Sequence, residues 1–437
     1  MFHSVTRRTF LLGSLATVGT GLSSRRAWAQ AASANSKLNV GVVGVAGRGG
    51  ANLGGVSKEN IVALCDVDAR NIARAAKRFP QARTFADFRR MLDKVGKELD
   101  AVVVSTPDHT HAPAAAMAMR MGKHCYCEKP LTHSVRECRT LIELAAKNKL
   151  ATQMGTQIHA GGNYRRVVEL VRSGAIGPVG EVHVWHTVSY GGGDRPKDTP
   201  AVPDYLNWDL WLGPAPQRPY HGCYLPGRWR GWSDFGTGGL GDFGCHYMDL
   251  PFWALKLRHP TTVEVDGPKP HPESTPRWLM IRYEFPARGQ MPPVKMTWSD
   301  GGKQPQKVKD VLATLTADQR KRWRCGVLFV GSKGMVLANY GTRVLLPKAK
   351  FADFQPPAET IPRSIGHHRE WIEACKTGGT TTCNFDYSGT LTEAVLLGVV
   401  GYRAGEKLTW DAKALKVTNC PKANDYLHRE YRKGWTL

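Results

Sequence analysis

The sequence predicts a two-part α/β protein: a doubly wound parallel sheet, then an α+β region whose sheet is mostly antiparallel. Three observations carry this. Between residues 38 and 155, short Val-rich runs alternate with amphipathic helical stretches. Those runs are continuously apolar, as strands covered on both faces require. After 155 the pattern changes: strand-like segments alternate apolar and polar residues, and long loops rich in Gly, Pro, Trp and Tyr intervene.

In the first part, strands are predicted at 38–44 (LNVGVVG), 61–66, 100–106 and 124–127, with another near 150–154. Helices are predicted near 69–79, 111–122 and 134–147, the order of a doubly wound fold. In the second part a helix at 162–173 is stopped by Gly174 and by Gly177-Pro178. A strand follows at 179–189, then a loop-rich stretch over 190–241 expected to wall a cleft. A helix is predicted at about 243–256, strands near 277–285, 293–299, 326–330 and 335–340, and helices near 365–376 and 387–403. The basic segment 303–324 reads as a solvated insertion.

Ahead of these lies a different layout. Arg7 and Arg8 precede Phe10-Leu11 and a weakly apolar stretch, which ends at Ala27-Trp28-Ala29. This predicts a twin-arginine signal peptide over 1–29, cleaved after export, and a linker over 30–37. No later apolar run is long enough to span a bilayer, so no stable membrane insertion is expected. The chain has 437 residues and a formal net charge of +23. No nucleic-acid motif accompanies that charge, so no nucleic-acid partner is expected. The ten cysteines include no C-x-x-C pair, which predicts buried thiols rather than a zinc site or a disulfide framework.

The first chemical motif is Gly44-x-Ala46-x-x-Gly49, with Gly47, Arg48 and Gly50 beside it. A strand feeding such a turn and then a helix suits a pyrophosphate: Gly44 for the tight turn, a small residue at 46 for close approach, Gly49 for helix packing. Asp66 ends the next strand and is placed to accept ribose hydroxyls, which favours NAD. Arg48 and Arg70 keep NADP open as the lesser alternative. Glu128-Lys129-Pro130 follows the strand HCYC, at the carboxyl edge where such sheets bind ligands. Asp242 and His246 are four residues apart, on one face of a helix beginning there. A helix N-terminus would keep His246 neutral; taken in isolation, Asp242 reads as a helix cap before it reads as a catalytic group, and the two roles are compatible. Asp108, His109 and His111 in TPDHTH read as a loop packed against the nicotinamide and opening a helix. No metal is expected.

Together, the glycine turn, Asp66, Thr106-Pro107, Glu128-Lys129-Pro130 and Asp242-x-x-x-His246 resemble the glucose–fructose oxidoreductase/inositol dehydrogenase (Gfo/Idh/MocA) family. The resemblance runs over roughly 38–437. It includes Gln153-Met154-Gly155-Thr156-Gln157 and Trp410-Asp411. NWDLWLGPAP (207–216), YRKGW (431–435) and the twin-arginine head resemble its exported branch. Ala46 is the departure from the family turn. The resemblance implies a Rossmann domain over 38–155 and a substrate-binding and oligomerisation domain with an open-faced sheet over 156–437. It implies a catalytic trio of Lys129, Asp242 and His246, and a homodimer or homotetramer. Cofactor contacts are expected from Gly44, Ala46, Gly47, Arg48, Gly49, Asp66, Thr106, Pro107, His111 and Glu128.

Aromatic residues crowd 185–232, and sugar C–H faces stack on aromatic rings. Trp208 and Trp229 are the substrate contacts this suggests, and Gln157, Tyr164 and His186 are expected separately to reach the cleft. The expected protein is an exported oxidoreductase that retains NAD and acts on a secondary hydroxyl of a sugar, glycoside or polyol. His246 takes the proton, Asp242 orients His246, and Lys129 binds the reacting oxygen. One alternative is redox-neutral glycosidase or lyase chemistry through a transient keto-sugar. A remoter one is a non-catalytic sugar-binding protein.

Overall fold

The computed structural model describes residues 36–437. The twin-arginine segment lies outside the described residues, as does most of the linker.

The first sheet is formed by β1 (Asn39–Val43), β2 (Asn60–Cys65), β3 (Arg83–Phe85), β4 (Ala101–Val104), β5 (His124–Cys127) and β6 (Thr152–Met154). All pairings are parallel, in the order β3-β2-β1-β4-β5-β6. The order reverses beside β1, and that crevice is where doubly wound sheets take ligands. Helices α1 (Arg48–Gly55), α2 (Ala69–Arg78), α3 (Phe88–Val95), α4 (Asp108–Arg120) and α5 (Val135–Lys147) connect the strands. Helix α5 opens with a reciprocal Ser134/Glu137 capping box. Strand β3 and helix α3 escape the sequence reading: three edge residues, Arg-Thr-Phe, carry no apolar run.

The second sheet has nine strands: β7 (Val179–Trp185), β8 (Thr262–Asp266), β9 (Met280–Phe285), β10 (Val294–Ser299), β11 (Gly326–Gly331), β12 (Met335–Ala338), β13 (Arg343–Leu346), β14 (Leu408–Asp411) and β15 (Lys416–Val417). Only the β7–β10 pair is parallel. Around it lie α6 (Gly162–Arg172), α7 (Trp208–Leu212), α8 (Gly238–Tyr247), α9 (Asp249–Leu255), α10 (Gln306–Ala313), α11 (Ala317–Arg320), α12 (His367–Thr377) and α13 (Phe385–Ala404).

Two expectations need correction here. The segment 303–324 is not simply solvated: Val308, Val311, Leu312, Leu315 and Trp323 are buried against Trp185, Leu328 and Leu337. Its apolar residues recur at helical spacing and seal one end of the outer sheet face. The helix expected at 243–256 is two helices, and the first begins at Gly238, not near Asp242.

The two sheets share one core. α13 is buried on nearly all sides and packs on α5, α8 and β8. The other face of the parallel sheet is covered partly from far along the chain: Trp371, Ile372, Ala374 and Cys375 of α12 join Val40, Val42, Val103 and Tyr126. All ten cysteines are free thiols, eight of them buried. No helix among the described residues is long and apolar enough to cross a membrane.

Candidate active site

A cavity of about 660 Å³ opens at the carboxyl edge of the parallel sheet. The turn after β1 forms one wall. Gly44 sits at φ +83°, and a Cβ there would lie 2.6 Å from the Ser105 carbonyl oxygen. A Cβ on Gly49 would lie 2.1 Å from the Gly44 oxygen, so Gly49 serves the packing of α1 on the turn and does not itself line the cavity. Gly47 has φ +55° and open space where a side chain would stand. With Ala46 and Arg48 it lines the cavity. A left-handed turn, bare backbone and a helix start beside an open cavity fit a dinucleotide's pyrophosphate.

Asp66 closes this wall. Its carboxylate accepts from the backbone N–H groups of Val45 and Asp68, both at 3.0 Å, and from Asn71 Nδ2 at 3.3 Å. Burial raises its pKa; the two backbone donors oppose that. Asp66 therefore pins the glycine turn as well as facing the cavity. Arg70, which kept NADP open, is already engaged. It pairs with Asp68 at 2.8 Å, and its guanidinium lies 3.3 Å from the centroid of the Tyr205 ring.

Thr106, Pro107, Asp108, Glu128 and Lys129 form the floor. Glu128 is buried and accepts from Asn52 at 3.0 Å and Gln157 at 2.8 Å. Lys129 reaches across to α8. Its Nζ donates to the Asp242 carbonyl oxygen at 2.8 Å and contacts the Asp242 carboxylate. Tyr190 donates to Asp242 Oδ2 at 2.7 Å, and Arg230 Nε meets Oδ1 at 3.0 Å. Burial alone would raise the pKa of Asp242, but Lys129 and Arg230 outweigh it and hold the carboxyl well below its usual range.

His246 lines the same cavity one turn further along α8. Its Nδ1 is buried without a hydrogen-bond partner. Burial, then the charge of Lys129, push its pKa well below the ordinary value. The expected cause of neutrality is thus corrected: His246 lies in the last turn, where the helix dipole would favour imidazolium. Asp242 is also no N-cap, since that position is Thr237. Nor do its carboxylate contacts run to His246; they run to Lys129, Tyr190 and Arg230.

Several expected contacts do not line the cavity. His111 lies behind the floor, its ring nitrogens 2.8 Å from the carbonyl oxygens of Pro130 and Thr106. It clamps the two cofactor-facing loops together. Gln157 donates to Glu128 and Tyr126. Tyr164 is fully buried and donates to the His246 carbonyl oxygen at 3.1 Å, holding the end of α8. His186 stacks on Phe243 with ring centroids 3.9 Å apart. Trp208 is buried, stacked on Trp211 at 4.7 Å, and donates to the Arg218 carbonyl oxygen. Of the five suggested substrate contacts only Trp229 lines the cavity. Sequence reasoning missed Arg230 and Tyr190; it placed Asp108 only in a segment packed against the nicotinamide, without a part in the charge balance of the site. Arg230 adjoins Trp229 in a loop, and no spacing rule links either Arg230 or Tyr190 to a helix residue such as Asp242. Asp108 is fully buried, accepts from Thr237 Oγ1 at 2.8 Å, and has its pKa pushed up to about 7 by burial.

Comparison with known proteins agrees with this architecture. A model described as an oxidoreductase family, NAD-binding Rossmann fold, matches residues 38–156. Its companion, the C-terminal alpha/beta domain of the same oxidoreductase family, matches 163–291. The chain belongs to the Gfo/Idh/MocA oxidoreductases, and its N-terminal part is their NAD-binding Rossmann fold. An inositol 2-dehydrogenase of Salmonella typhimurium is 28% identical over 155 residues, 34% of this chain and 46% of that enzyme. The chain thus spans under half the length of the curated relatives it matches. Among solved structures, GenD2 from gentamicin A biosynthesis in complex with NAD aligns at TM-score 0.59 and 19% identity, over 91% of this chain and all of that one. A levoglucosan dehydrogenase in complex with NADH and levoglucosan aligns at 0.55 and 17% identity, over 85% of this chain and 99% of that one.

Proposed function

We propose that this protein is an exported NAD-dependent oxidoreductase. It oxidises a secondary hydroxyl of a sugar, glycoside or polyol and keeps its cofactor bound through the cycle. The observation that carries the reading is the meeting of Lys129, Asp242 and His246 on the wall of the cavity that also holds the glycine turn.

The nicotinamide, when bound, supplies the hydride acceptor. The chain's own groups handle the proton and the oxygen. Neutral His246 accepts the hydroxyl proton. The Lys129 ammonium, aimed by Asp242, donates to the same oxygen and stabilises its alkoxide character. Asp242 orients Lys129, and Tyr190 and Arg230 hold Asp242 in turn. NAD is favoured over NADP because Asp66 faces the cavity and Arg70 is already taken by Asp68 and Tyr205.

Retention is supported by a strap from the second part of the chain. Leu206 bridges to Asp68, Ala69 N–H donates to the Tyr205 oxygen at 2.8 Å, and Asn207 N–H donates to the Val67 oxygen at 2.9 Å. Tyr205, Leu206, Tyr220 and Trp435 then wall the cavity beside Asp66 and Asp68. Export by the twin-arginine machinery, which carries folded proteins, would let the cofactor be loaded in the cytoplasm and taken to the periplasm. In a homodimer or homotetramer, the outer sheet face free of α10 would offer charged strands, where Arg282 pairs with Glu264 and Asp266.

The test is mass spectrometry of nucleotide released on denaturing the purified protein, followed by single additions of sugars and glycosides. Near one nicotinamide nucleotide per chain is expected. A lone substrate should leave bound NADH after one turnover, and a second, reducible sugar should restart the enzyme. No nucleotide, with only millimolar affinity for added NAD, would remove the retention. Sustained aglycone release with solvent deuterium uptake and no acceptor would replace net oxidation by the redox-neutral route.

A further inference from the structure

Arg230 enters the reacting end of the cavity from the loop-rich stretch, on a short turn over Arg228–Gly231. Its guanidinium is held on three sides. Nε pairs with Asp242, Nη1 donates to the Gly227 oxygen at 3.3 Å, and the plane lies over Trp229 with Cζ 4.3 Å from the ring centroid. Among the described residues Nη2 has no acceptor. The side chain is 27% exposed and lines the cavity beside Lys129. This is a fixed guanidinium with one edge presented to whatever fills the cavity.

The local charges explain what that edge would take. Lys129 and Arg230 share the carboxylate of Asp242. The other carboxyl acting on both cations is Asp108, which is buried and bonded by Thr237. Burial raises the Asp108 pKa to about 7, so below that pH this group of four carries one uncompensated positive charge. A neutral sugar would leave that charge desolvated and unpaired, which is costly. A phosphate would bring more negative charge than one free edge can pair, against the repulsion of Asp242. A carboxylate carries one charge and matches the N–H groups of a guanidinium.

We propose that Arg230 is a specificity residue that receives a substrate carboxylate, so that the preferred substrates are acidic sugars such as uronates, aldonates or their glycosides. This rests on the reading of the cavity as a carbohydrate oxidoreductase site. Lys129 then holds the reacting hydroxyl while Arg230 fixes the acid group, two anchors that set which carbon faces the nicotinamide.

The test is calorimetric titration of the NADH-loaded full chain with glucuronate, gluconate, glucose and glucose 6-phosphate. Glucuronate or gluconate should bind at least about tenfold more tightly than glucose, the scale of one charge-assisted contact. Arg230→Gln should erase that ratio while NADH content per chain stays unchanged, which also shows the variant is folded. Arg230→Lys should restore part of it, since charge is kept and the planar edge is lost. In turnover, Arg230→Gln should lower kcat for acidic and neutral substrates alike, because Arg230 also holds Asp242, but should raise KM selectively for the acidic ones. A ratio near one in the parent protein, or one that survives Arg230→Gln, overturns the proposal. Tighter binding of glucose 6-phosphate than of either acid overturns the carboxylate class. Acid binding that depends on Arg230, with no sugar of any kind oxidised, supports this proposal and breaks the oxidoreductase reading instead.

Discussion

At the glycine-turn end of the cavity a buried carboxylate, Asp66, is satisfied mainly by backbone N–H groups. At the reacting end a buried carboxylate, Asp242, is satisfied by side chains from three remote segments, at 129, 190 and 230. Backbone donors are supplied by any sequence that makes the turn, so that end is fixed by local conformation. Side-chain cations are present only when distant loops arrive. The first end should therefore respond to substitution through the turn, and the second through charge.

The largest effect should come from Lys129→Ala. It removes the cation that aims at the reacting oxygen and should cut turnover by roughly 10²-fold or more. Nucleotide content should be unchanged, because the glycine turn is untouched. Mass spectrometry beside steady-state rates checks both; loss of nucleotide together with turnover would erase the distinction between the two ends.

A smaller effect sharpens the charge argument. Asp108 has its pKa raised in the folded chain to about 7 by burial. The native state therefore binds this proton more tightly than the unfolded one. Its contribution to stability is fully present below about pH 4 and is lost as pH rises through about 7. Asp108→Asn should remove that loss. Compared with the parent, the variant should be more stable at pH 8 by on the order of 2–4 kcal/mol and little changed near pH 4. Thermal melts at the two pH values decide it; an equal difference at both would deny that Asp108 is held protonated. Asp300, likewise raised to about 7, lies in both proteins and cancels in the comparison.

The smallest effect probes the other end. Asp66→Ala should weaken NADH binding by on the order of 1–3 kcal/mol, since the turn loses an acceptor and the ribose a partner. Asp66→Asn keeps one acceptor oxygen and should lose less. Equal weakening of NADH and NADPH by Asp66→Ala would leave Asp66 a purely structural pin, without a part in cofactor choice.

The same contrast explains what could be read from the sequence. The parallel sheet was legible because its strands are continuous apolar runs and its turn is a glycine cluster, both local signals. The placements of Lys129 and His246 came through motif order. Gln157, Tyr164, His186 and Trp208 were misassigned because polar and aromatic character marks buried partners as often as ligand contacts. Tyr164 and Trp208 show this, each donating to a backbone carbonyl within packed surroundings. Arg230 and Tyr190 were illegible as partners of Asp242, since their meeting is set by the tertiary path of a loop. The buried face of 303–324 was hidden by its lysines and arginines, which dominate composition but are exposed, while the apolar residues pack on Trp185 and Leu328.

Helix α12 has a consequence for how the chain is made. The ribosome delivers the parallel strands first, while Trp371, whose indole N–H donates to the Ala151 oxygen, follows 220 residues later. Until then the face framed by Val40, Val42, Val103 and Tyr126 has only the part of its cover that Leu53, Val56 and Ala75 supply. The core on that face of the amino-terminal half is completed only by a helix that is translated near the end. A truncated transcript would thus release an open sheet with an apolar face, a product suited to chaperones and proteases rather than to binding a nucleotide.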